Sequence, residues 1–215
     1  MRTKTILAAA AFIAAGALYS TAQSNVYSLN IVGYVNVQLE ANKLALVSNP
    51  LIPTDGNNDI NNTFKLADGS SDGSQAFVWN TGTASWVSTE WIDGLGWTDA
   101  INVGLGEVAF INPSSNQTIT FVGEVATGTT TTTLGSGLSL VGSKIPVAGP
   151  APGSSVGNDG DSVFTWSGNS WNSFEYIGGF GWTSDDENGP SVGVAEGFFY
   201  NNTGAALTWS TTLNP

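Results

Sequence analysis

Cysteine and histidine are both absent from this chain of 215 residues, and arginine occurs once, at Arg2. Without the first two there is no disulfide, no thiol redox centre, no Ser-His-Asp or Cys-His nucleophile system and no His/Cys zinc site. A bacterial lipoprotein anchor, which needs a cysteine to acylate, is excluded with them. Ser-x-x-Lys, phosphate-loop and His-Glu-x-x-His patterns are missing too. Charge is scarce, at 10% of residues, and one-sided: 17 acidic against 5 basic side chains leave a net charge of −12. Such a chain repels phosphate backbones and anionic lipid, so neither nucleic acid nor a membrane surface is expected as a partner, whereas cations are attracted. What is present suits a folded domain, because 41% hydrophobic residues are ample for a core.

The first residues read as an address. Arg2 and Lys4 make a basic start, Ile6 to Leu18 is an apolar run too short to span a bilayer, and Ser20-Thr21-Ala22 offers small residues for cleavage. Residues 1–22 are therefore predicted to be a signal peptide, and the mature chain to be secreted or displayed at a bacterial cell surface with no membrane insertion after cleavage. From Gln23 onward three lysines stand against all 17 acids, a net charge of −14. No sorting or anchoring segment is expected after Leu213.

Beyond Gln23 the chain repeats itself. LALVSNPLIP from Leu44 answers LSLVGSKIP from Leu138, and FVWNTGTASW from Phe77 answers FTWSGNSW from Phe164. TEWIDGLGWTD from Thr89 answers FEYIGGFGWTSDD from Phe174, and VGLGEVAFIN from Val103 answers VGVAEGFFYN from Val192. A period near 90 residues exceeds that of common solenoids, so each copy reads as a small domain or half-domain. Short runs rich in β-branched and aromatic residues, separated by Gly, Asn, Asp, Ser and Pro clusters, read as strands throughout. Only Asn61 to Ala67 has room for a helical turn. The expected fold is all-β: two tandem antiparallel β-sandwich-like repeats, 34–126 and 127–215, with a single pseudo-symmetric sandwich as the alternative. Residues 23–33 have no counterpart in the second copy and are expected to form an extra N-terminal strand.

VYSLNIVGYVNV, from Val26 to Val37 behind a signal peptide, resembles the opening of uncharacterised secreted β-proteins of Verrucomicrobia-type bacteria. LVSNPL, GLGEVAF and VAEGFF are similar to the "LIGNP … PGQGFF" repeats of bacterial surface proteins. The resemblance implies an extracytoplasmic β-domain and brings no catalytic residues with it. The second copy departs from the pattern, with Ser143-Lys144 where the first has Asn49-Pro50.

Three kinds of side chain could carry a function. Trp79, Trp86, Trp91 and Trp97, with Trp166, Trp171, Tyr176 and Trp182 as their counterparts, could stack on sugar rings or could fill the core, and Trp209, standing where the first copy has Phe121, reads as core. Asp55, Asn57 and Asp59, and then Asp68, Ser70 and Asp72, alternate as in a calcium loop, although position 12 of each falls on Leu66 and Trp79 rather than an acid. Asp185-Asp186-Glu187 is a further acidic loop. A glycosidase would need two carboxylates about 5–10 Å apart, for which Glu90 and Glu107, or Glu175 and Glu196, could be nominated. The Thr129–Thr133 run is expected to be the first strand of the second copy. On balance the sequence points to a non-catalytic structural or adhesive surface protein that associates with itself or other surface proteins through strand edges. A carbohydrate-binding module using its aromatic residues is the second reading, a glycoside hydrolase the third. No cofactor other than calcium is implied.

Overall fold

The computed structural model describes residues 31–80, 82–83, 85–152, 157–184 and 189–214. The predicted signal peptide, most of the expected N-terminal strand and the Asp185-Asp186-Glu187 loop lie outside these. The fold is all-β. In the first half a ribbon of β1 (Val32–Leu39) and β7 (Gln117–Glu124) covers a sheet of β2 (Ala45–Ser48), β3 (Gln75–Asn80), β4 (Ser85–Ile92), β5 (Gly96–Trp97) and β6 (Val108–Asn112), ordered β2-β6-β3-β4-β5. In the second half a ribbon of β8 (Gly128–Leu134) and β16 (Leu207–Leu213) accompanies β9 (Gly137–Gly142), β11 (Ser162–Trp166), β12 (Trp171–Ile177), β13 (Gly181–Trp182) and β15 (Gly197–Asn202), ordered β9-β15-β11-β12-β13. The two sheets thus share one strand order, and every pairing is antiparallel. A short pair, β10 (Gly149–Pro150) with β14 (Ser191–Val192), completes the second half.

Alternation explains which faces meet. Along β7, Gln117, Ile119, Phe121 and Gly123 turn inward while the residues between them face water, the period of two that a half-buried strand requires. Ile119 and Phe121 meet Val47, Ala76, Val78, Trp91, Ala109 and Ile111 of the facing sheet. Phe64 sits edge-on to Phe121 with ring centroids 5.1 Å apart. The second core gathers Leu134, Val141, Val163, Phe198, Tyr200 and Trp209, so Trp209 is core as its match to Phe121 implies. The buried residues thus gather in two clusters, the first of which also takes in Ala195 from the second half.

Three local expectations are refined. The helical turn, α1, is Ile60–Thr63 and not Asn61 to Ala67, because the Asp59 side chain caps it by accepting the Asn61 N–H. β1 runs unbroken through the boundary expected at Gly33, where a Cβ would press to 2.7 Å on Leu51 and Val125. The threonine run forms most of β8 and pairs with β16.

The halves join along a reciprocal seam. Ser48 N–H donates to Ala195 O at 2.9 Å, and Gly142 N–H donates to Gly106 O at 3.0 Å. Ser48 and Gly142 end matching strands, while Gly106 and Ala195 hold matching turns with positive φ, 76° and 57°. The backbones approach so closely that a Cβ on Gly142 would collide with Ser48, and one on Gly197 would stand 3.0 Å from Leu46 Cγ.

Candidate functional site: an aromatic face across both halves

On β3 and β4, Val78 and Trp91 point into the core, so Trp79 and Trp86 must point out. They stand directly opposite each other in the β3–β4 register, and Trp166 and Trp171 do the same in β11–β12. Phe110 of β6 and Phe199 of β15 share that outward face, since their neighbours Ala109, Ile111, Phe198 and Tyr200 are core. The rings make an unbroken series. Centroids are 5.3 Å apart for Trp79–Trp86, 5.6 Å for Trp86–Phe110, 6.2 Å for Phe110–Trp171, 4.9 Å for Trp171–Trp166 and 5.4 Å for Trp171–Phe199. All are tilted or edge-to-face, geometries that contribute about 0.5–1.5 kcal/mol per pair beyond area burial. Trp86 is nevertheless 44% exposed, Trp171 41% and Trp79 38%. Edge contacts therefore hold these indoles in place while leaving part of each open.

The other predicted stacking residues do not join this face. Trp91 and Trp97 are 2% and 3% exposed and cannot receive a sugar. Their rings pack edge-to-face at 5.5 Å, and their indole N–H groups donate to Asp93 Oδ1 and Phe64 O. That corrects the expectation, and the cause is strand parity: residue 91 shares the inner face with Val87 and Thr89. Tyr176 and Trp182 occupy the matching place in the second half, also 5.5 Å apart and half-buried. Backbone shields them, since Cβ atoms on Gly157 and Gly189 would lie 2.5 Å and 2.6 Å from their rings. Of the expected aromatic set, Trp79, Trp86, Trp166 and Trp171 remain on this face, Trp79 opposite Trp86 and Trp166 opposite Trp171.

The alternating acidic loops have local partners. Asp55 Oδ1 accepts Asn57 N–H at 3.0 Å, Asn57 Oδ1 accepts Asp59 N–H at 3.0 Å and Asp59 Oδ1 accepts Asn61 N–H at 2.9 Å, three successive Asx-turns leading into α1. Asp68 and Asp72 each accept a backbone N–H, from Gly94 and Asp93, tying their loop to the β4–β5 turn. Ser70 Oγ accepts from Gln117 Nε2 at 3.1 Å. Among the described residues no three acidic side chains gather as a metal site would need.

The nominated glutamates close turns. Glu107 and Glu196 each accept, through Oε2, the N–H of the glycine three residues earlier, both at 2.6 Å. Burial pushes the Glu196 carboxyl above its ordinary value, against the pull of the Gly193 N–H. Glu90 stands opposite Gln75 on β4 and Glu175 opposite Ser162 on β12. The most deeply bonded acid is Asp161. Fully buried, it accepts from Asn158 N–H, Tyr200 O–H and both Thr203 N–H and Oγ1–H at 2.7–2.9 Å. No family model, curated protein or solved structure matches the chain.

Proposed function

We propose that this chain is a non-catalytic, extracytoplasmic adhesive protein that grips neutral glycans through its aromatic face. The observation that carries the reading is the pair Trp86 and Trp171, each more than 40% exposed and each fixed against Phe110. The C–H faces of pyranose rings pack on indoles, and indoles already oriented lose little freedom on binding. A net charge of −12 disfavours acidic polysaccharides and leaves neutral ones. The basic start and apolar run of residues 1–22 support the address, and the use of Glu107 and Glu196 to close turns supports binding without catalysis. Alanine at Trp86 or Trp171 is expected to weaken binding to immobilised neutral polysaccharide by about tenfold, some 1.4 kcal/mol, with the fold retained. Affinity electrophoresis of the two variants against the parent measures it, and equal retardation of all three would remove the face from the mechanism.

A second reading, assembly with further copies of the chain, is favoured by a different surface. Tyr34 of β1 is 66% exposed, directly opposite the exposed Val122 of β7. Leu95 and Phe180 stand bare at the tips of matching hairpins. Such apolar groups on ribbons and tips invite pairing. Light scattering of the full mature chain is expected to show oligomers that dissociate on Tyr34→Lys. A monomer at every concentration would end this reading and leave the glycan reading untouched.

A further inference from the structure

The seam relates the halves so closely that the space beside each β2/β9 edge could be expected to match, yet the two sides differ at one pair of tryptophans. Trp166 reaches across the seam: its indole N–H donates to Leu44 O at 2.6 Å, and its ring lies 6.4 Å from Phe110 of the other half. Trp79 holds the same place in the first half, but its ring partner is Trp86, and its indole N–H has no hydrogen-bond partner among the described residues. Where Trp166 bridges one side, a cleft of about 750 Å³ stands open on the other, bounded by Trp79, Asn80, Asn102, Glu107, Leu140 and Lys144. That is the size of a small-ligand site, and Trp79 brings one end of the aromatic strip to its wall.

We infer that this cleft is a saccharide site that captures the end of a neutral glycan chain whose remaining units lie along the aromatic strip. This rests on the glycan reading and adds a location and a polarity to it. Trp79 offers a part-exposed ring to a pyranose face, and an N–H that has no partner among the described residues to a hydroxyl. Glu107 spends one oxygen on Gly104 N–H, and the second carboxylate oxygen can accept from a sugar hydroxyl. Lys144 donates one ammonium hydrogen to Thr131 O at 2.6 Å and keeps two for the ligand. One acid and one base in the same cleft cancel, which selects an uncharged, hydroxyl-rich guest over a phosphate or a carboxylate. Leu140 and Leu105 supply apolar wall.

The test is titration of the full mature chain with cellotetraose, xylotetraose, chitotetraose and mannotetraose, read by tryptophan fluorescence and calorimetry. For the tetrasaccharide that binds, Trp79→Ala and Glu107→Gln are each expected to weaken affinity about tenfold, and the same sugars immobilised through both ends are expected to bind poorly. Because Trp79 is part-exposed, far-ultraviolet circular dichroism should show Trp79→Ala folded as the parent is. Unchanged affinity in both variants, with Trp171→Ala still defective, would overturn the cleft and leave the strip as the binding surface. Failure of all four sugars to bind the parent, while it still binds a longer neutral polysaccharide, would likewise overturn end capture. Absence of binding to either would overturn both readings.

Discussion

Replacing Trp91 by alanine is expected to remove about 4 kcal/mol of folding stability, within the range for a large aromatic deleted from a core. Trp91 is 2% exposed, packs edge-on against Trp97 and donates its indole N–H to Asp93 Oδ1 at 3.1 Å. The truncation leaves a cavity against Trp97 in the first core, in a β-sheet that cannot easily collapse around it. Domains of this kind have about 5–15 kcal/mol in total, so the variant should sit close to its unfolding threshold. Trp86→Ala, five residues earlier on the same strand but on the open face, is expected to cost about half as much, chiefly its ring pairs with Trp79 and Phe110. Urea denaturation of both variants reads the contrast, and similar midpoints would mean that the inner and outer faces of β4 have been assigned the wrong way round.

Asp161→Ala is expected to cost about 3 kcal/mol at neutral pH, because four donor groups on three residues of the second half lose their acceptor together. Burial alone would raise this carboxyl, but the bonds from Thr203, Asn158 and Tyr200 outweigh it and hold it below the ordinary value. A folded-state pKa below the unfolded one means the unfolded chain takes up the proton first as pH falls. The contribution of Asp161 is therefore complete above about pH 4 and drains away as pH drops beneath that, towards the lowered folded value. Tyr200 is pushed the other way, by burial and then by the adjoining Asp161 carboxylate, so the phenol keeps its proton and stays a donor. Denaturation at pH 7 and at successively lower values should show the gap between parent and variant narrowing below pH 4. A gap of constant size across that range would rule out the ionised carboxylate as the cause.

Much of this architecture is legible in the sequence, and the particular residues show why some of it is not. The four duplicated blocks fall on strands of the same rank in both sheets, because block order and strand order are the same information. The inner face of β4 is harder to read. Val87, Thr89 and Trp91 alternate inward, but Thr89, 4% exposed, is polar, and it belongs inside only because its hydroxyl accepts Asp99 N–H at 3.0 Å. A polar residue on the core side hides the period, and Trp91 then looks as available as Trp86. The acidic loops carry two readings at once. Oxygen side chains at alternate positions suit a calcium loop, and the same spacing is what consecutive Asx-turns need, with each side chain bonding the N–H two residues on. The seam leaves almost no mark, since nothing in LSLVG says that its final glycine must admit Ser48 of a segment 94 residues away.

That seam has the form of an isologous dimer contact in which residue i of one unit meets residue j of the other and j meets i. Here both units belong to one polypeptide, connected where β7 gives way to β8. A two-fold dimer of identical chains is compelled to carry every change twice, so filling one cleft fills both. Tying the units together lifts that compulsion. Trp166 can bolt the halves by bonding Leu44 O while Trp79, its counterpart, keeps an open wall, a division of labour that identical subunits could not make.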